Sequence, residues 1–323
     1  MEFEEIIALE QWQKIQDILS VIIQNSFKLI DYSGRIIGRP SNVASVCAQV
    51  VTAESESVEK CWLWPSRVVV DIKDNAEYHE LVCPFGLKLF LLPININQVK
   101  IAYFLIGPFK QNLAPGVNIL KQYVANEQDF FTAVNQLPAL DYKIIADNID
   151  FLRPMISYLK QLASFQGKYK KEIFVLNQKN VGIFLKAFLK LCINLCHAEF
   201  GSVMVFEKST QQFSIKDFQG LDKEIVDKIK INPGEGIAGL TIKRKQPFFI
   251  NDQLSDREVR LRMYKPEIKS AFVIPVFYKG AILGVVSVST AKYPNRFSDK
   301  LMELINELMT IVLEKLSKYT NVL

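Results

Sequence analysis

The sequence predicts an α+β protein of two domains joined by a long helical linker. Its 323 residues allow about two domains. Two regions carry short apolar strands between turn residues, and helices flank these strands without regular βαβ alternation. A helical stretch at about residues 117–182 separates the two regions. With 49% hydrophobic and 23% charged residues, both domains can bury sizeable cores.

The first region, residues 1 to about 115, alternates helices with strands. Helical apolar spacing predicts a helix in LEQWQKIQDILSVII, and SNVASVCAQVV is typical of a capped helix. FKLIDYSGRIIGRP predicts two strands with Ser33 and Gly34 at the turn. ELVCPFGLKLFLLPININQVKIAYFLIGPF predicts further strands, with a hairpin turn at residues 95–98.

The middle segment contains a long helix that starts at Leu140 and Asp141. Pro154 is expected to kink or restart it. Five apolar residues recur alternately four and three positions apart, which is a short heptad pattern. Such a pattern serves packing against the same domain or against a second copy, and we favour a parallel homodimer because the helix bridges two domains. The predicted dimer residues are Ile145, Ile149, Leu152, Ile156 and Leu159.

The third region, about residues 183–320, predicts an antiparallel sheet with a helix at each end. The expected strands include GSVMVFE, QFSIKDFQ, PFFIND, SAFVIPVFY and ILGVVSVST, and REVRLRMYK is an irregular basic segment. The first helix is IFLKAFLKLCINLCH. The last helix follows FSDK, where Ser298 suits the N-cap position.

The stretch GEGIAG at residues 234–239 matches the G-x-G-x-x-G pattern of dinucleotide-binding folds, and Asp252 follows Gly234 by 18 residues. Its context contradicts that function, because half-exposed KIKIN and Pro233 stand where a buried parallel strand should end. The glycines instead predict a tight turn with positive φ at Gly234 and Gly236, and close packing of the next helix on the sheet at Gly239. The N-terminus of that helix would suit a small anion.

Several segments together resemble a GAF domain: LKLCINLCHAEFGSVMVFE, PGEGIAGLTIKRKQPFFIND, SAFVIPVFYKGAILGVVSVST and RFSDKLMELINELMTIV. The resemblance covers residues 180–320 and implies a PAS-like fold with a six-stranded antiparallel sheet and a small-molecule pocket in many members. Family ligands include cyclic nucleotides, tetrapyrroles, haem and iron, whereas other members serve dimerisation. The residues that we expect at this pocket are Phe213, Phe249, Asn251, Asp252, Arg260 and Arg262. For the two arginines, a solvated surface is the alternative.

Catalysis is not expected. The cyclic-nucleotide signature of the family is not apparent, and Cys192 and Cys196 lie four apart among apolar residues of the first helix, which favours buried packing over a redox pair. His197 ends that helix, and one imidazole with no partner acid in reach does not make a catalytic site.

Residues 15–165 resemble the PocR sensory domain, another PAS-like fold, through FKLIDYSGRIIGRPSN, VCAQVV, EKC, ELVCPFGLKLFLLPININQVKIAYFLIGPF and DFFTAVNQLPALDYKIIADNIDFLRPMISYL. The family usually has three cysteines, which correspond here to Cys47, Cys61 and Cys83. Three thiols with His79 or an outside ligand would suit a soft metal. The spacings of 14 and 22 residues contain no C-x-x-C, however, and favour small buried residues without a metal.

Two departures from the PocR pattern predict an altered or lost pocket. The chain has CPFGL at residues 83–87 where the family has Cys-His-Ala-Gly-Leu, and GPF at residues 107–109 where it often has a Gly-Gln pair. Trp62 and Trp64 are expected to line this pocket, with core or interface positions equally open. Family precedent implies a small polar ligand such as a diol.

Composition and charge argue against nucleic acid and membrane. The net charge of +5 is scattered, and the cluster at residues 243–245 suits a helix end. No apolar run reaches the roughly 18 residues of a membrane span, and the acidic start is unlike a secretory signal. Five cysteines without a disulfide framework suit the cytoplasm.

The sequence thus predicts a PocR-like domain at residues 1–165, a linker at 166–182 and a GAF domain at 183–323. The expected function is non-enzymatic: a cytoplasmic sensor that binds a small molecule in one or both domains and signals through dimer helices to a separate partner. The alternative is a ligand-free scaffold or adaptor whose domains serve dimerisation and protein–protein interaction.

Overall fold

The computed structural model describes residues 2–53, 64–69, 72, 76–96, 98–110, 127–169, 178–207, 210–251, 256–262, 267–278, 281–294 and 297–317. The chain divides into two compact units, Met1–Lys168 and Tyr169–Leu323. Both combine helices with an antiparallel sheet, so the predicted α+β class is confirmed. Within the described residues, no helix is long and apolar enough to cross a membrane.

The first unit is built on a five-stranded sheet in the order β2-β1-β5-β4-β3, with antiparallel pairing throughout. Its strands are β1 (Phe27–Asp31), β2 (Ile36–Ser41), β3 (His79–Val82), β4 (Lys88–Ile96) and β5 (Val99–Phe109). Its helices are α1 (Phe3–Ile6), α2 (Leu9–Ile22), α3 (Ser45–Ala53), α4 (residues 64–69), α5 (Glu127–Asn135) and α6 (Tyr142–Tyr169).

Both faces of this sheet are covered. Helix α2 packs on β1 and β2. Its Trp12 ring stacks on Phe104 of β5, with the ring centroids 5.4 Å apart. The opposite face packs against Val69 of α4. The sheet residues in that second cluster are Ile30, Leu89, Leu91, Tyr103 and Leu105. The turn between β1 and β2 lies where the sequence predicts it, with Gly34 at φ +86°.

Helix α6 continues through Pro154, so of the two expected effects of this proline, a kink or a restart, the restart does not occur. Four of the five heptad residues are buried within the chain itself, at 0–4% exposure, and the fifth, Ile156, is half-buried. The buried four are Ile145, Ile149, Leu152 and Leu159. The heptad pattern left two alternatives open, packing against the same domain or against a second copy, and this burial fits the first. A dimer through α6 would therefore need other residues of the helix, such as Ile144, which is 51% exposed.

The second unit is built on a six-stranded antiparallel sheet in the order β8-β7-β6-β11-β10-β9. Its strands are β6 (Phe200–Glu207), β7 (Gln212–Gln219), β8 (Lys230–Ile231), β9 (Phe248–Ile250), β10 (Ser270–Tyr278) and β11 (Ala281–Thr290). Its helices are α7 (Gln178–Cys196), α8 (Lys223–Val226), α9 (Gly236–Arg244), α10 (Arg257–Leu261) and α11 (Asp299–Ser317).

Helices α7 and α11 pack on one face of this sheet, and α9 packs on the other. The α7 face buries Cys192 and Cys196 completely, as the packing interpretation predicts. Ser298 caps α11, because its Oγ accepts a hydrogen bond of 3.2 Å from the Leu301 N–H. The α9 face of the sheet remains partly open and forms the site described next.

Candidate ligand cavity

A cavity of ≈ 560 Å³ lies between the second unit's sheet and the start of α9. Its floor consists of Ala271 and Val273 of β10 with Ser287 and Ser289 of β11. The antiparallel register pairs Ala271 with Ser289 and Val273 with Ser287. Side chains two positions apart on a strand point to the same face of the sheet, and so do the side chains of paired residues on neighbouring strands. The four floor residues therefore point to the same face of the sheet. Small floor residues leave the volume open.

The N-terminal turn of α9 forms one wall, made by residues 235–238. As predicted, Gly234 and Gly236 adopt positive φ, at +92° and +60°. The Gly239 N–H donates to the Glu235 carbonyl oxygen at 2.9 Å. The amides of residues 236–238 precede that bond, so they have no acceptor inside the helix. They lie at the cavity wall.

Gly239 has a different role from the predicted one. A Cβ at this position would lie 2.4 Å from the carbonyl oxygen of Asn232 and 3.1 Å from the Gly234 nitrogen. The residue therefore permits the helix to close against its own preceding turn. The sequence prediction of close packing on the sheet is corrected in this respect.

The charged residues of the cavity lining are predominantly basic. Among the described residues, Lys228, Lys230 and Arg262 line it together with one acid, Glu235. The Glu235 carboxylate accepts hydrogen bonds from the backbone N–H and the Nδ2 of Asn232, at 3.0 and 3.3 Å. Neither lysine forms an ion pair with any residue that the structure describes.

Arg262 is positioned by α10 and its ion pairs. Its guanidinium bonds the Glu258 carboxylate at 2.8 Å and donates to the backbone carbonyl oxygen of Gly234. The Asp256 side chain caps α10 by accepting from the N–H groups of Glu258 and Val259. Arg244 at the end of α9 pairs with both Asp256 and Glu258. Its guanidinium holds the pKa of Asp256 below the ordinary value.

The first unit contains a much smaller cavity of ≈ 40 Å³. That volume accommodates a few water molecules, since one water needs roughly 10–15 Å³ on this scale. Phe85 and Leu87 are buried in its lining. Cys47 and Cys83 also line it, and both are half-buried and outside any disulfide.

Family models match both units. A model described as the sensory domain found in PocR matches residues 5–164, and a GAF domain model matches residues 178–313. The chain carries a PocR sensory domain followed by a GAF domain. A search of curated proteins found no match.

Solved structures similar to this chain include three GAF-like folds. The GAF domain of a phosphoenolpyruvate-protein phosphotransferase from Acinetobacter is 20% identical, covering 44% of this chain and 87% of that one, with a TM-score of 0.36. The corresponding domain from Coxiella burnetii is 18% identical, covering 51% and 95%, with a TM-score of 0.39. A free methionine-R-sulfoxide reductase from Neisseria meningitidis, solved with its substrate, is 14% identical, covering 50% and 89%, with a TM-score of 0.38.

Of the five predicted GAF-pocket residues that the structure describes, one, Arg262, is in the cavity lining. Arg260 is exposed and Asn251 is half-buried, and both lie outside the cavity lining. Phe249 pairs with Phe272 and lies on the α11 face of the sheet, whereas its neighbour Ile250 lines the cavity. Phe213 is 3% exposed in the core beside the cavity, and Asp252 lies outside the described residues.

In the PocR domain, the structure brings Cys47, Cys83 and Trp64 to one small cavity and leaves His79 out of its lining. Cys61 and Trp62 lie outside the described residues. Within the part of the chain that is described, no group of three or more His, Cys, Asp or Glu residues could hold a metal ion. Cys47 and Cys83 pack against the apolar cluster that contains Phe85 and Leu87.

Sequence reasoning missed the serines and lysines of the GAF cavity. Ser287 and Ser289 alternate with buried valines in VVSVST, which is the signal of a small polar face on an otherwise apolar strand. Lys228 and Lys230 alternate with isoleucines in KIKI in the same way. Both patterns were available from the sequence, but the partner strands and α9 decide that these residues meet.

Proposed function

We propose that this protein is a cytoplasmic, non-enzymatic sensor that binds a small molecule in the GAF cavity and signals to a separate partner protein. The two sensory-type domains support a signalling role. The observation that carries the proposal is the ≈ 560 Å³ cavity, which falls within the roughly 300–1,000 Å³ typical of small-molecule sites. Four cysteines outside any disulfide suit a reducing compartment.

Binding rather than catalysis fits the residues at hand. Among the described residues that line the cavity there is no Cys, His or Asp, and the Glu235 carboxylate is hydrogen-bonded to Asn232. The lining combines isoleucines and valines with a few polar groups, which is the usual make-up of a binding site.

The sheet offers a direct route from the cavity to the helices. Ser287 faces the cavity, whereas Val286 and Val288 on the same strand are buried on the face that carries α7 and α11. A ligand that favours one position of β11 would therefore shift the packing of those two helices as a change in populations. We propose that α7 and α11 transmit this change to a partner or to a second copy of the chain.

Native mass spectrometry of the protein purified from its own host tests the proposal. We expect a stoichiometric small-molecule adduct on the wild type and on Thr310→Trp, which changes an exposed residue of α11. Ser289→Trp places a large ring on the cavity floor and should remove the adduct. An empty wild-type protein would count against the sensor.

A ligand-free scaffold is the second candidate function, and the PocR domain favours it. Its described cavity is only ≈ 40 Å³ and is lined by the buried Phe85 and Leu87 of the segment that departs from the family pattern. We propose that this domain contributes surface rather than a ligand site. An adduct that persists in Ser289→Trp would contradict this assignment, because it would require a site outside the GAF cavity.

A further inference from the structure

We infer that the GAF cavity takes a ligand with an anionic group, a carboxylate or a phosphate, on an apolar body. This inference deepens the proposed function and rests on it. Among the described residues of the lining, three are cationic and one is a carboxylate. A half-enclosed site of this kind strengthens the attraction between opposite charges relative to bulk water.

The cations are available to a ligand. Lys228 and Lys230 form no ion pair with a described residue, and both are exposed residues at the rim. Arg262 uses its Nη1 and Nη2 atoms for Gly234 and Glu258, which leaves its Nε–H outside those two bonds. A charge-assisted bond from such a held guanidinium costs little additional ordering of the side chain.

The single acid is already occupied. Two donors of Asn232 hold the Glu235 carboxylate at 3.0 and 3.3 Å, so its charge is partly compensated within the turn. The amides of residues 236–238, which have no acceptor inside α9, add positive potential at the same wall. The carboxylate therefore does not cancel the basic lining.

The remainder of the lining selects the body of the ligand. Apolar residues surround the volume, and Ser287 and Ser289 supply the polar groups of the floor. The apolar residues include Ile231, Ile237, Ile250, Ile268 and Val273. An apolar skeleton with one acidic group matches this division between basic rim and apolar interior.

A matched pair of fluorescent probes tests the inference on the full chain. One is 8-anilino-1-naphthalenesulfonate, whose sulfonate stands in for the carboxylate or phosphate. The other is N-phenyl-1-naphthylamine, which has the same skeleton without the charge. At low ionic strength we expect the anionic probe to bind about tenfold more tightly, which corresponds to about 1.4 kcal/mol. Added salt should reduce this preference.

Charge-removing variants locate the preference. Arg262→Gln and Lys230→Gln should each weaken binding of the anionic probe severalfold and leave the neutral probe unchanged, whereas Arg262→Lys should retain part of the preference. The control Arg260→Gln removes the same charge from an exposed neighbour outside the lining. Circular dichroism of each variant establishes that it is folded.

The outcomes separate the inference from the proposed function. Equal affinity for both probes, with no effect of Arg262→Gln, would overturn the anionic class while leaving a ligand cavity in place. Loss of both probes in Ser289→Trp places them in the cavity. Unchanged binding of both probes in that variant would overturn the cavity assignment and the inference together.

Discussion

Arg262 donates a hydrogen bond to the backbone carbonyl oxygen of Gly234, 28 positions earlier in the chain. The bond joins the end of α10 to the glycine turn before α9, so it connects two parts of the cavity rim. Glu258 holds the same guanidinium, and Arg244 holds Glu258. The position of α10 is therefore coupled to both ends of α9.

Replacing Arg244 should loosen α10. Arg244→Met removes the ion pairs to Asp256 and Glu258, which tie this five-residue helix to α9. Hydrogen exchange followed by mass spectrometry should show severalfold faster exchange of the α10 amides. Arg260→Met, at an exposed position of the same helix, is the control. Unchanged exchange in Arg244→Met would show that the buried Val259 alone anchors the helix.

Gly239→Ala should destabilise the GAF domain although alanine is the better helix former. In an open helix the change would gain about 1 kcal/mol. Here the new Cβ would meet the Asn232 carbonyl oxygen at 2.4 Å, and such overpacking costs roughly 1–3 kcal/mol, which outweighs that gain over most of its range. The free energy of unfolding, measured in urea, tests the sign.

Gly236→Ala provides the contrast. No atom lies within 4 Å of a Cβ built there, so only the φ of +60° opposes the change. We expect a loss of about 1 kcal/mol from this strain. If Gly239→Ala proved as stable as the wild type, the close approach to Asn232 would not be the reason for the glycine.

The sequence predicted features that depend on local chemistry. The positive φ at Gly234 and Gly236 and the cap at Ser298 involve residues within a few positions, and each appears as predicted. The hairpin at Gly34 belongs to the same class. Local steric and hydrogen-bonding rules suffice for such features.

Most of the cavity lining was beyond the sequence prediction because it depends on register and on distant contacts. Shifting a strand by one position moves a side chain to the other face, which is why Ile250 lines the cavity and Phe249 does not. The bond from Arg262 to Gly234 has no local signal. The heptad pattern of α6 likewise identified a buried stripe, but the period alone does not state which chain buries Ile149.

Gln16→Leu should destabilise the PocR domain by roughly 1–3 kcal/mol, because it leaves the buried Trp12 indole N–H without its acceptor. Gln16 is fully buried and accepts a hydrogen bond from the Trp12 indole N–H at 3.0 Å. Its Nε2 donates to the Arg39 carbonyl oxygen at 2.7 Å and to the Ser41 Oγ at 2.9 Å, which ties α2 to β2. Lys14→Leu, at an exposed position of the same helix, is the control. Thermal unfolding of both variants measures the difference, and equal midpoints would rule out this network as a source of stability.

Glu207 should make the GAF domain less stable in acid. Hydrogen bonds from Lys216 first, and then from Ser214 at 2.7 Å, lower its pKa to about 2. Since the unfolded chain has the ordinary carboxyl pKa near 4.3, it binds the proton first as the pH falls. The stabilisation is thus present above about pH 4.3 and is lost as the pH falls towards 2. The difference in unfolding free energy between wild type and Glu207→Gln should shrink over that interval. In the Lys216→Met background, which lacks the main cause of the lowered pKa, this difference in unfolding free energy should also be smaller. A difference between wild type and Glu207→Gln that stays constant from pH 6 to the acid limit would refute the assignment.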